Sequence, residues 1–460
     1  MIVKNGLLAL RYERDFLRRD FRVGPDGRVT EIAETLTPQP GEEVLDARGL
    51  QVLPGAIDPH VHFDEPGFTH REDFLHGTSE AAKGGVTTVV DMPCTSLPPV
   101  TTRAALENKL SFVSKAAVVD YAFFGGVSGH TVEESLSEHM EALAPEVVGF
   151  KTYFISGMKT FTRVTHDDFG RIVRRGAALG RPILLHAEDL DCVTAAEARL
   201  RKARGAEAPR WSDYVGARSE DAETVAAASA ATLARGNEAW LHVVHVGTAE
   251  AAELLAASGA TCETCAHYLA FSAEDFESLG SSLKTAPPVK APGQAERLWA
   301  LLSGGAISFV TSDHAPAPEE EKNTGDLWTD YGGIPGTGTW APFLYSEGLL
   351  GGRLSLSRYL DVTARAAAER YGLSGRKGSL EAGKDADFIL ADPRGTTVVE
   401  GRTLLSKGKI TAFEGMRLSG RFLATYVRGR LVYDAARADR NEHPICAAPG
   451  SGRFLRWGYR

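Results

Sequence analysis

Eight short apolar runs through the middle of the chain restrict its fold more than any other feature of the sequence. In order they are VLPGAIDPHVH, VTTVVDMP, AVVDYAFFGGV, VVGFKTYF, PILLHAE, WLHVVHVG, ATCETCAHYL and ISFVTSDHA. Each is rich in β-branched or aromatic residues with little polar alternation, which is how a strand buried on both faces reads. Segments of helical character lie between them: REDFLHGTSEAAKGG, TRAALENKLSFVSKA, TVEESLSEHMEALA, HDDFGRIVRRGAALG, SEDAETVAAASAATLARG, TAEAAELLAASG and GQAERLWALLSGG. Several end on Gly, a common helix stop. Strand–helix units repeated in this way predict an α/β fold, a parallel (β/α)8 TIM barrel.

The two ends of the chain read differently. Residues 1–50 hold short alternating stretches, with Pro25-Asp26-Gly27 as a hairpin turn between two of them. Residues 376–440 repeat that character in DADFILADP, TTVVEG and RFLATYVRGRLVYD. Together they predict a small β-sandwich domain built from both termini, flanking a barrel over 51–375. Residues 441–460 carry Pro and Gly without pattern and are expected to wrap the surface or a neighbouring subunit.

Composition excludes several functional classes. Net charge is -9 and no basic run stands out, which argues against nucleic-acid binding. No apolar run approaches the roughly 18 residues of a membrane span. The first segment, MIVKNGLLALRYERDF, meets charges too early for a secretory signal, so a cytoplasmic location is expected. Five cysteines in 460 residues make no disulfide framework.

Strand C-terminal ends face the active site in a barrel of this kind. Those ends carry His60 and His62 on the first strand, Lys151 on the fourth and His186 on the fifth. His245 ends the sixth, His267 the seventh, and Asp313 with His314 the eighth. Alternation places His60 and His62 on one side of a strand, where both can reach one ion. A lone HxH pair is ordinarily incidental, and a lone buried Lys ordinarily snorkels to solvent. Imidazoles, an amine and a carboxylate gathered on most of the strand ends predict instead a site for Zn²⁺ or a neighbouring divalent metal. Cys262 and Cys265 form a CxxC without a second pair, so both read as small barrel residues. Gly332–Gly338, GGIPGTG, lacks the strand and the Lys-Ser/Thr of a phosphate loop; a flexible, backbone-exposed substrate loop is expected there.

HxH after the first strand, then GFKTYF, LLHAED, HVVHVG and TSDHAP in this order, resembles the amidohydrolase superfamily. More narrowly the chain is similar to the cyclic amidohydrolases: allantoinases, dihydroorotases and hydantoinases. The resemblance runs from about residue 45 to 435 and includes LPGAIDPHVH and KGSLEAGKDADFIL. It implies two divalent ions per chain, zinc in the first instance, with iron, cobalt or manganese as alternatives. His60, His62 and Asp313 would hold one ion, and His186 and His245 the other. Lys151 would be N-carboxylated by CO₂, its carbamate bridging the pair. Asp313 would move the proton from the attacking water to the leaving nitrogen. A homotetramer or homodimer is also implied.

Departures within the group bear on substrate. A dihydroorotase would carry Arg where this chain has Asp64, Asn where it has Cys94, and His where it has Ala317. A hydantoinase would carry Tyr where it has Ser156. EPGFTHREDF, ETCAHYLAF, KTAPPVK and YGGIPGTGT are most similar to allantoinases. An acid in place of a bidentate arginine disfavours an anionic substrate. The expected substrate is therefore a small neutral cyclic ureide or amide, with Asp64, Cys94, Ser156, Thr285 and Gly333 as contacts. Dihydroorotase and hydantoinase activities are the alternatives, and a non-catalytic scaffold homologue is a distant one. Asp64 either accepts ureide N–H groups, or faces solvent or pairs with a nearby base such as Arg71.

Overall fold

The computed structural model describes residues 1–460. Eight parallel strands fall on the eight apolar runs: β1 Ala56–Val61, β2 Val86–Asp91, β3 Asp120–Phe123, β4 Phe150–Tyr153, β5 Ile183–His186, β6 Leu241–Val243, β7 Thr261–Cys265 and β8 Phe309–Thr311. Nearly every residue in them is buried, as double-faced burial requires. They pair in sequence order within two sheets, β1 to β3 and β4 to β8. Gly125–Gly126, just past β3, pairs with β4 and joins the two. The ring closes where the His62 amide donates to the His314 carbonyl at 2.7 Å, beside the Val61–His314 bridge.

Helices fill the intervals, and their ends follow local chemistry. The Thr165 hydroxyl accepts from the Asp168 amide to start the helix His166–Leu179, and Gly180, at φ 64°, ends it. Thr102 and Ser219 cap Arg103–Val113 and Glu220–Leu233 in the same way. The longest excursion follows β5, where Leu190–Arg204 and Trp211–Ala217 precede the helix that packs back on the barrel. No helix is long and apolar enough to cross a membrane.

Both termini share one eight-stranded mixed sheet. Gln51–Pro54 is its junction: Leu7 pairs with Gln51 in parallel, and Ile389 with Leu53 antiparallel. The Pro25–Gly27 turn links Leu17–Val23 to Val29–Ala33, with Gly27 at φ 81°. Ionic contacts join this sheet to the barrel below β3. Lys377 Nζ lies 2.6 Å from Asp120, 2.9 Å from Asp385 and 2.6 Å from Asp387, all buried. Arg428 pairs with Asp120, and Arg376 with Asp385. The tail adds to the same place. The Tyr121 amide donates to Arg453 O at 2.9 Å and the Leu455 amide to Tyr121 O at 2.7 Å. The tail thus packs on its own barrel.

Candidate metal centre

The strand ends converge on a cavity of about 320 Å³ lined by His60, His62, His186, His245 and Asp313, among others. Asp313 Oδ1 lies 3.1 Å from His60 Nε2 and 3.4 Å from His62 Nε2, so these three form a candidate metal site. The His245 ring centre lies 5.3 Å from that of His60 and 4.6 Å from that of His186. His242 instead sits inside the barrel, hydrogen-bonded to Thr261 and Glu263. His267 is buried just past β7 and lies off the cavity wall.

His245, Asp313 and Asp64 all hold positive φ, at 42°, 48° and 54°. Non-glycine residues in this region cost on the order of 1–3 kcal/mol each and cluster at functional sites. The bends turn His245 and Asp313 off their strands and over the cavity.

Carboxylates outside the predicted set orient the imidazoles. Glu263 Oε1 lies 2.5 Å from His60 Nδ1, and its Oε2 lies 3.1 Å from His242 Nε2. Glu188 Oε2 lies 2.9 Å from His186 Nε2 and also pairs with Arg218. Both acids are fully buried. Glu263 sits inside CETC, where the thiols drew attention; an acid in a strand otherwise buried on both faces was the available signal. Glu188 stood two residues past His186 in LLHAED, outside any known ligand spacing. Both cysteines of CETC are free, Cys265 within 3.5 Å of Thr311 and Cys262 within 3.9 Å of the Ala306 carbonyl.

The charge balance fits a cation. Burial holds the His60 imidazole well below its usual range, and carboxylates lie against both ring nitrogens, Glu263 at Nδ1 and Asp313 at Nε2. A cation between Nε2 and Asp313 would suit both groups. Burial would raise the Asp313 carboxyl, but His60, His62 and His245 together hold it well below the carboxylate range. Lys151 Nζ is fully buried, has no hydrogen-bond partner and lies 4.9 Å from the Tyr153 ring centre. Burial pushes it down to about 8, against the pull of Glu263 and Asp313. A bare ammonium in that place lacks the pairing a buried charge needs.

The expected substrate contacts divide. Cys94 and Ser156 line the cavity; Cys94 Sγ lies 3.0 Å from the Tyr153 hydroxyl, and the Ser156 hydroxyl donates to Phe161 O at 2.7 Å. Thr285 and Gly333 are off the wall, which their neighbours Lys284, Ala286 and Gly332 supply. Asp64 does not face solvent: it is fully buried, off the wall, and neither oxygen has a partner. Arg71 pairs with Glu321 at 2.7 Å rather than with Asp64. Gly332–Gly338 is not a flexible exposed loop either. Residues 333–337 are buried, and the Gly336 and Thr337 amides point to His314 Nδ1 at 3.1 and 3.3 Å. The Thr337 hydroxyl donates to Asp58 at 2.8 Å. Tyr153, which stacks on His186 at 5.2 Å, and Tyr331 are further wall residues that sequence reasoning missed.

The amidohydrolase family model matches residues 51–432, and the chain belongs to that family. An allantoinase of Rubrobacter xylanophilus is 37% identical over 438 residues, 94% of this chain and 92% of the relative. A dihydroorotase of Halobacterium salinarum is also 37% identical, over 94% of this chain and 96% of its own. The L-hydantoinase (dihydropyrimidinase) of Arthrobacter aurescens superposes with a TM-score of 0.91 at 30% identity, covering 99% of each chain. Within the family the chain falls in the cyclic amidohydrolase group, as a hydrolase of C–N bonds in cyclic amides.

Proposed function

We propose that this chain opens the ring of a small neutral cyclic ureide, in the manner of an allantoinase, at a centre of two divalent ions. His60, His62, His186, His245, Asp313 and a carboxylated Lys151 would hold them. The buried, unpartnered Lys151 Nζ, whose charge bears on His60, His186 and His245 from behind the cavity wall, carries this reading, because carboxylation turns an isolated cation into a ligand. Bound divalent ions supply Lewis acidity and lower the pKa of water at neutral pH. The chain's own residues do the rest. Asp313, held ionised, accepts the proton of the attacking water and delivers it to the leaving nitrogen. Glu263 and Glu188 fix one nitrogen each of His60 and His186, so the other is presented to the cavity. Tyr153 packs against His186 and keeps that ring in place.

Support for allantoin comes from the allantoinase relatives and from the absence of an arginine at position 64. The assay is a panel of allantoin, dihydroorotate, hydantoin and dihydrouracil, with metal content measured in parallel. About two ions per chain and preferred turnover of allantoin are expected. Preferred turnover of dihydroorotate would overturn the substrate assignment. Lys151→Ala is expected to lose bound metal and to abolish turnover; full turnover in that variant would sink the two-ion centre. A homotetramer or homodimer, also carried by the resemblance, is read by sedimentation.

A further inference from the structure

Besides the histidine cluster, the cavity wall carries two cations, Arg218 and Lys284. Both lie against one aromatic ring: Lys284 Nζ is 4.9 Å and Arg218 Cζ 5.8 Å from the Tyr214 centre. Trp328, whose ring centre lies 6.1 Å from that of Tyr214, completes this part of the wall. Neither cation is used up by its protein contacts. Arg218 places Nη1 on Glu188, while Nε and Nη2 donate to no protein atom. Lys284, only 3% exposed, donates to the carbonyls of Asp330 at 2.5 Å and Trp328 at 3.2 Å, which leaves one of its three N–H groups free. Burial, the largest influence, pushes the Lys284 ammonium down to about 8, so an acceptor oxygen there relieves its desolvation.

We propose that Arg218 and Lys284 form a hydrogen-bond-donor subsite for an oxygen-bearing substituent on the substrate ring, either the carbonyl of a ureido arm or a carboxylate. The assignment rests on the ring-opening reading above and specifies what the ring carries; the carboxylate outcome would replace the neutral substrate named there with an anionic one. Glu188 Oε2 accepts from both His186 Nε2 and Arg218 Nη1, so the subsite begins one carboxylate away from a proposed metal ligand. The scissile amide must lie beside Asp313, which leaves the spare donors of Arg218 and Lys284 to whatever projects from the ring. A cavity of about 320 Å³ has room for such an arm beyond a five- or six-atom ring. The buried, unpaired Asp64, where a dihydroorotase would place its arginine, leaves this wall as the cavity's source of free cationic donors.

The experiment compares wild-type holoenzyme with Lys284→Met and Arg218→Lys on four hydantoin rings. These are the unsubstituted ring and the 5-methyl, 5-ureido and 5-carboxymethyl derivatives. Each is assayed as a substrate, and as a competitive inhibitor of whichever ring is opened fastest, so a ring that is not hydrolysed still yields a binding constant. Preference for an oxygen-bearing arm over the methyl arm is expected to fall about tenfold or more in both variants, through KM or Ki rather than kcat. A fall on the ureido arm assigns the carbonyl source, and a fall on the carboxymethyl arm the carboxylate source. Unchanged ratios in both variants, whatever their absolute rates, overturn the subsite and leave the ring-opening reading standing. Wild-type enzyme that neither opens nor binds any of the four rings sinks that reading, and the subsite with it.

Discussion

His60 shows how much of this site depends on partners beyond the direct ligands. Its ring is held between Glu263 and Asp313, and Glu263 also reaches His242 across the barrel interior. Glu263→Gln keeps the size of the side chain but weakens acceptance of the imidazole proton. It is expected to lower metal affinity and turnover by about 10- to 100-fold, read by metal titration and kcat/KM. Cys262→Ser, at the residue before Glu263 on the same strand, is expected to leave metal content unchanged. Asp64 gives a pH prediction for the metal-free chain. Burial, the largest influence, pushes its carboxyl up to about 8 against the pull of His62 and Arg71. The unfolded value is about 3.9, so between those limits the folded chain binds more protons than the unfolded one. Its stability therefore falls as pH rises from about 4 to 8. Asp64→Asn removes that slope. The variant's advantage in unfolding free energy over wild type, measured by chemical denaturation at each pH, is expected to widen across that window and reach the order of several kcal/mol at pH 8; a constant difference would contradict it.

Among the elements, the barrel strands were legible because burial on both faces leaves a mark in the sequence, a run of apolar residues without alternation. The seven helical segments read from period and Gly stops are all helical, within a few residues at each end, the third broken by a kink at Ser135. Less legible was anything that depends on where a loop returns. GGIPGTG offered glycines, which suggest mobility, whereas its glycines serve close packing. A Cβ on Gly336 would lie 2.8 Å from the Ser312 carbonyl, the residue before Asp313. Gly336→Ala is therefore expected to cost about 1–3 kcal/mol in stability and to lower kcat by displacing Asp313. Thermal melts and steady-state rates check the two effects. Glu188 and Arg218 were missed for the same reason: their pairing spans an excursion of two helices after β5, which no local spacing encodes.

At the scale of the whole molecule, the terminal sheet and the barrel are joined through buried charge. Three aspartates surround Lys377, with Arg376 and Arg428 completing the balance. Removing one partner of such a group leaves uncompensated charge in the interior. Lys377→Met is expected to destabilise the protein by about 3–5 kcal/mol, measured by chemical denaturation, although it lies outside the cavity. The junction strand has a consequence for synthesis. Gln51–Pro54 has one partner early in the chain and the other beyond residue 387. On a growing polypeptide, the first strands emerge long before Phe388–Val398 exists. Until then Val52 and Leu53 present an open apolar edge, so the half-made chain carries its own template for unwanted pairing. The barrel can assemble in the interval, but this edge is sealed only when synthesis is nearly finished, so it is the strand that needs protection longest on the nascent chain.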